Sequence, residues 1–204
     1  MNYKQPEQPS LISRIKLLAD RNISFVILVT CFTSMACIGL HSYIAQIQVG
    51  TPNSLTLTLF IWGLGGFIGS SFVGFVVDKL KNPQLVMSII IVSLILNFTI
   101  LPVFKNITYL GLIPIFIWGA LGWATTTPQQ YILFDLKKDQ GTILAGLNAS
   151  AIGLGGAVGT ALGGVLVVLG IGESRLPLLS AVLLIFALCF QLTLNKNINR
   201  ETPS

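Results

Sequence analysis

Charge is what this chain has least of. Only 9% of its 204 residues are Asp, Glu, Lys or Arg, whereas soluble domains carry about 25%. With 53% apolar residues beside that deficit, the composition argues against a water-soluble fold. Histidine occurs once and cysteine three times. Cys31, Cys37 and Cys189 lack CxxC spacing and sit inside apolar runs, so they read as small packing residues rather than a disulfide framework or metal site. No nucleotide loop, metal-ligand cluster or nucleophile–base pair stands in the sequence, which predicts neither an enzyme nor a cofactor. The net charge of +5 comes from short loops and tails rather than one basic face. It points to lipid headgroups and away from nucleic acid.

Long hydrophobic runs are what is there. A helix needs about 20 apolar residues to cross roughly 30 Å of hydrocarbon, and these runs are too long and continuous for barrel strands. Hydropathy places six spans, at Ile23 to Val49, Leu55 to Val77, Leu85 to Phe104, Ile107 to Tyr131, Thr142 to Leu169 and Leu176 to Leu194. The expected organisation is a leader over 1–22, a six-helix transmembrane domain over 23–194 and a tail over 195–204. The leader is polar and mixed in charge, unlike a cleaved signal peptide. Its Leu11, Ile12, Ile15 and Leu18 fall at helical spacing around Arg14 and Lys16, which fits either a short interfacial helix or a solvated leader.

Lys and Arg accumulate on the cytoplasmic side of short loops. With six spans, the tails and the second and fourth loops share a side that holds 10 of the 12 basic residues, with Lys105 and Arg175 opposite. The sequence therefore predicts both termini inside the cell.

A segment is duplicated. Gly63-Leu64-Gly65-Gly66-Phe67-Ile68-Gly69-Ser70-Ser71-Phe72-Val73-Gly74 matches residues 153–164 at 6 of 12 positions with a constant offset of 90. The two copies lie in spans two and five, the middle helices of consecutive triplets that cross in opposite directions, as an inverted three-plus-three repeat requires. Five of the six matches are glycine, so shared composition is the alternative. Gly155, Gly159 and Gly163 recur every four residues, as do Gly66, Ser70 and Gly74. Each set predicts a smooth stripe where another backbone packs closely.

Three stretches carry a resemblance: Ser42-Tyr43-Ile44-Ala45, then Trp118-Gly119-Ala120-Leu121-Gly122-Trp123 running to Pro128-Gln129-Gln130, then Leu147-Asn148-Ala149-Ser150-Ala151 leading into Leu154-Gly155-Gly156-Ala157-Val158-Gly159 and Gly163-Gly164. Through them the chain resembles the C-terminal six helices of the major facilitator superfamily, in particular its bacterial drug/proton antiporter and sugar or nucleoside efflux branch. The resemblance implies an all-α membrane protein of two inverted three-helix repeats, half of a major facilitator fold, in a bacterial inner membrane. It also implies export of a small-molecule substrate by alternating access. Gly74, Asp78 and Lys79 fit the family's cytoplasmic gating motif, while Lys81, Asn82 and Pro83 stand where that motif prefers Gly and further basic residues.

The family builds its pathway between two six-helix halves and this chain supplies one. The expected partner is a separately encoded half or a second copy; the other reading is a truncated, non-transporting fragment or an interaction partner of a full-length transporter. Met1 and the polar leader resemble the linker between halves, which favours a split or truncated gene.

No Asp, Glu, Lys or Arg lies within any expected span. Ionisable groups in a bilayer normally mark proton or ion pathways, so a proton-coupling acid is expected in the partner half. His41 stands about 27 Å along the helix from Ile23, near the outer boundary. The same reckoning puts Trp118 near mid-membrane and Trp123, Asn148 and Ser150 in the inner half. The resemblance implies that spans one, two, four and five face the cavity. His41, Trp118, Trp123, Thr125, Asn148 and Ser150 are then the substrate-lining candidates, with helix packing the alternative for each.

Overall fold

The computed structural model describes residues 16–47, 54–104, 107 and 109–201. Among these residues the regular structure is helical: α1 (Arg21–His41), α2 (Ser54–Leu80), α3 (Pro83–Phe104), α4 (Leu112–Ala124), α5 (Thr126–Leu136), α6 (Gly141–Val168) and α7 (Leu176–Glu201). Leu11, Ile12 and Ile15 of the expected leader helix lie outside the described residues.

Local chemistry sets the helix ends. The Asp20 carboxylate accepts from the N–H groups of Asn22 at 3.0 Å and Ile23 at 3.4 Å, so α1 starts at Arg21. Pro83 opens α3, where a missing N–H is no loss, and Asn82 Oδ1 accepts from Leu85 N at 2.9 Å. Gly170, at φ +83°, ends α6 in the left-handed conformation that suits glycine.

Among the described residues five helices, α1, α2, α3, α6 and α7, are long and apolar enough to cross a membrane. The fourth expected span departs from the sequence reading: it is two helices of 13 and 11 residues that meet at Thr125. Pro128 has no N–H to donate back to Ala124, so the ladder loses a rung there. The next bond, from Gln129 N to Thr125 O, stretches to 3.5 Å. Thr125 itself keeps helical dihedrals, φ −62° and ψ −32°. The first helix also stops at His41 rather than Val49. Beyond it the chain turns, the Tyr43 hydroxyl donates to Thr160 O at 2.6 Å, and the hydroxyls of Ser42 and Thr160 lie 2.8 Å apart.

Helix α1 packs on α6 and α7, α7 on α3, α3 on α4, and α4 on α2. Large apolar side chains such as Phe67, Phe72, Phe75 and Leu154 remain exposed. In hydrocarbon such exposure costs nothing, and helices associate through close van der Waals packing at small residues. The two tightest pairs are built that way. A Cβ on Gly155 would strike the carbonyl of Cys31 and one on Gly159 the backbone of Met35; a Cβ on Gly65 would strike the carbonyl of Phe116 and one on Gly69 that of Ala120. Gly65 and Gly69 stand 90 residues before Gly155 and Gly159, and their partners Phe116 and Ala120 stand 85 residues after Cys31 and Met35.

The glycine stripe expected on α2 is thereby corrected. Gly66 meets the Trp123 ring rather than a backbone, Gly74 faces open space, and Ser70 is exposed and donates to Phe67 O. The packing face runs through Gly65 and Gly69, one residue out of the expected phase. On α6, Gly155 and Gly159 press on the α1 backbone, whereas Gly163 meets the Tyr43 ring rather than a backbone.

Candidate functional site

The chain's one histidine and all three of its tryptophans come together. His41 ends α1, Trp62 lies in the first third of α2, and Trp118 lies six residues into α4, about 9 Å along its axis. Because α1 runs toward the end from which α2 and α4 start, those positions meet at one level. The His41 and Trp62 rings lie 4.2 Å apart, Trp118 sits 6.2 Å from each, Trp123 is 5.9 Å from Trp62, and Phe98 closes the far side of Trp118 at 5.6 Å. Most of these pairs are edge-to-face, the arrangement that the ring quadrupole favours.

The cluster lines a cavity of about 380 Å³. Its remaining wall includes Thr33, Ser34 and Cys37 of α1, Thr125 and Thr126 at the junction of α4 and α5, and Ile152 of α6. Indole faces, hydroxyls and a thiol make it an uncharged site apart from the imidazole. Trp118 is 1% exposed and Trp123 is 54% exposed, so the first is a wall of the bundle while the second is open at the rim. His41 Nε2, Trp62 Nε1 and Trp118 Nε1 have no hydrogen-bond partner among the described residues. Three unmatched ring nitrogens at one place are unusual, since buried polar atoms are normally paired.

The structure divides the candidates drawn from sequence. His41, Trp118, Trp123 and Thr125 line the cavity. Asn148 lies outside it, fully buried, where its Oδ1 accepts from Thr30 Oγ1 at 2.6 Å. In the amide orientation that satisfies its neighbours, Gln129 joins this network through Thr30 and the Thr125 carbonyl. Ser150 is exposed and donates to Gly146 O at 2.9 Å. Sequence reasoning missed Trp62, Thr30 and Thr33. The available signal for Trp62 was its rarity as a residue type, placed just before the repeated glycine segment.

At the opposite end of α2, Tyr131 Oη donates to Asp78 Oδ1 at 2.9 Å and the Lys79 ammonium stands 6.0 Å from the Phe75 ring centre. Asp78 therefore ties α2 to α5, with Gly74 contributing no packing contact. Both partners are exposed, and an exposed pair of this kind contributes little. Tyr131→Phe is expected to lower stability by no more than about 1 kcal/mol in detergent unfolding, and Asp78→Asn, which keeps an acceptor, by less.

No protein-family model matches the chain. Among curated proteins it is 25% identical over 179 residues to the Escherichia coli (strain K12) inner membrane transport protein YdhP, covering 86% of this chain and 46% of the relative. It is 28% identical over 174 residues to the Bacillus subtilis uncharacterized MFS-type transporter YbcL, covering 81% and 43%. It is 27% identical over 159 residues to a probable sugar efflux transporter of Helicobacter pylori (strain J99), covering 78% and 40%. These relatives are named as transporters, not enzymes. The chain spans less than half the length of each. Most of its length is thus similar to about half of a major-facilitator-type transporter.

Proposed function

We propose that the chain is the C-terminal six-helix half of an alternating-access exporter of small, uncharged organic solutes, working with a complementary half or a second copy. The observation that carries this reading is the cavity in which the only histidine and all three tryptophans meet, bounded by two glycine-tight helix pairs. Ring faces and hydroxyls suit a solute with a flat face and a few polar groups. The lining offers no acid to pair with an organic cation or to carry the coupling proton.

Six spans and an inverted repeat belong to the same proposal. They are supported by α4 and α5 being consecutive helices with helical dihedrals at their junction. They are also supported by the constant offsets of 90 and 85 residues that relate the α2–α4 contact to the α1–α6 contact. In that frame 23–194 is the membrane domain, both termini are cytoplasmic, and the Asp78–Tyr131 contact closes the inner end. Close backbone contact at glycine makes each helix pair a rigid unit, and alternating access moves such units against one another.

The test is export from inside-out vesicles made with the chain alone and with a complementary six-helix half co-expressed. Transport that needs the pair, with Trp123→Ala weakening apparent affinity about tenfold, the equivalent of about 1.4 kcal/mol, is the expected result. No substrate-dependent flux in any pairing would leave the fragment or interaction-partner reading, and crosslinking to a full-length transporter would then identify it.

A further inference from the structure

A second cavity, of about 480 Å³ and polar, opens at the end of the bundle opposite the aromatic cluster, between the start of α1, the end of α5 and the last turns of α7. Its lining includes Asp20, Arg21, Asn22, Lys137, Asn197 and Arg200. Three cations from three different segments thus face one space that holds a single carboxylate.

That carboxylate is already engaged. Asp20 accepts from two N–H groups of α1 and pairs with Lys137 at 3.7 Å, the one ion pair among the described residues. Arg21 stands over the Phe25 ring at 5.4 Å, and neither it nor Arg200 has a carboxylate partner among the described residues. Among the described residues the cavity is therefore left with two cations in excess. Its walls are braced, because Asn197 Nδ2 donates to Asn22 Oδ1 at 3.2 Å and so ties α7 to α1. Ile23, next to the lining residue Asn22 in the chain, is buried in an apolar cluster with Ile132, Leu133 and Leu194.

We infer that this cavity binds a phosphate-bearing anion at the level of the lipid headgroups. Guanidinium groups offer paired N–H donors at the spacing of phosphate oxygens. Basic pockets between membrane helices at the end rich in Lys and Arg suit anionic headgroups. A singly charged phosphodiester would accept hydrogen bonds from Arg21 and Arg200 and halve the excess charge, while Lys137 stays with Asp20. The same chemistry admits a free phosphate group, and the inference stands whether or not the chain transports anything.

The test uses the purified full chain in detergent, with phosphatidylglycerol, phosphatidylcholine and inorganic phosphate as probes, read by native mass spectrometry and thermal melting. Retention of phosphatidylglycerol over phosphatidylcholine is expected. One basic residue near the surface is worth about fivefold in binding, so Arg21→Gln with Arg200→Gln should weaken it roughly 25-fold. Lys138→Gln, outside the cavity, should change it by less than about threefold. Protection by inorganic phosphate with no lipid preference, lost in the same variant, would keep the site and assign it to a soluble anion. Should the double variant fail to fold, Arg200→Gln alone, in the exposed last turn of α7, carries the test with an expected loss of about fivefold. Equal retention of both lipids without a phosphate effect, or arginine variants that bind as the parent does, would overturn the inference.

Discussion

Gly159→Leu is expected to destabilise the bundle by more than about 3 kcal/mol in detergent or denaturant unfolding, at the upper end of what overpacking costs. The reason is the identity of the atoms in the way. A Cβ at Gly159 would fall within 3 Å of the Met35 backbone, and Gly39 sits so close from the other side that its own Cβ would reach the Gly159 backbone at 2.7 Å. A flexible side chain can swing aside, but two helix backbones cannot. Helices α1 and α6 would have to separate, losing the Tyr43 and Ser42 contacts to Thr160 as well. The control lies on the same helix: Gly153 meets nothing within 4 Å, so Gly153→Leu should stay within about 0.5 kcal/mol of the parent. If the two leucine variants unfold alike, glycine packing does not hold α1 to α6.

Trp118→Ala carries the second large effect, a loss of about 3–5 kcal/mol. Trp118 is the largest fully buried side chain and touches Phe98 on one side and the His41–Trp62 pair on the other. Truncation leaves a void where α3, α4 and α1 meet, and the glycine contacts that fix α4 against α2 restrict how far the walls can follow. Its Nε1 has no partner among the described residues, so Trp118→Phe should recover more than half of the loss. Trp123→Ala acts in the opposite sense. Half-exposed at the rim, this residue should affect solute affinity while leaving the melting temperature nearly unchanged. Unfolding measurements with vesicle export on the same three variants separate wall from rim.

Much of the architecture was legible because the bilayer imposes a simple rule on composition. Runs near 20 apolar residues must be helices there, and five of the six expected spans are long apolar helices. The exception is legible in hindsight: Pro128 was visible, but hydropathy takes no account of a missing N–H, and the interruption at Thr125 is a hydrogen-bond event rather than a change in apolarity. The glycine face of α6 followed from spacing alone. On α2 two runs of small residues compete, Gly65 with Gly69 and Gly66 with Ser70 and Gly74, and periodicity is blind to which of them meets a neighbour.

By itself the sequence determined an all-helical membrane chain, two glycine-rich helices, and the concentration of positive charge in a few short segments, all properties that a residue carries into any environment. Only the tertiary structure decided which side chains share a cavity. His41, Trp62 and Trp118 are separated by 21 and 56 residues along the chain, and they meet because α1 ends at the level where α2 and α4 begin. It likewise took Asn148 out of the cavity and set it on Thr30, and turned Ser150 outward. Those outcomes depend on helix rotation, which a few backbone contacts at glycine fix to within one residue, and no property of the isolated segments encodes that angle.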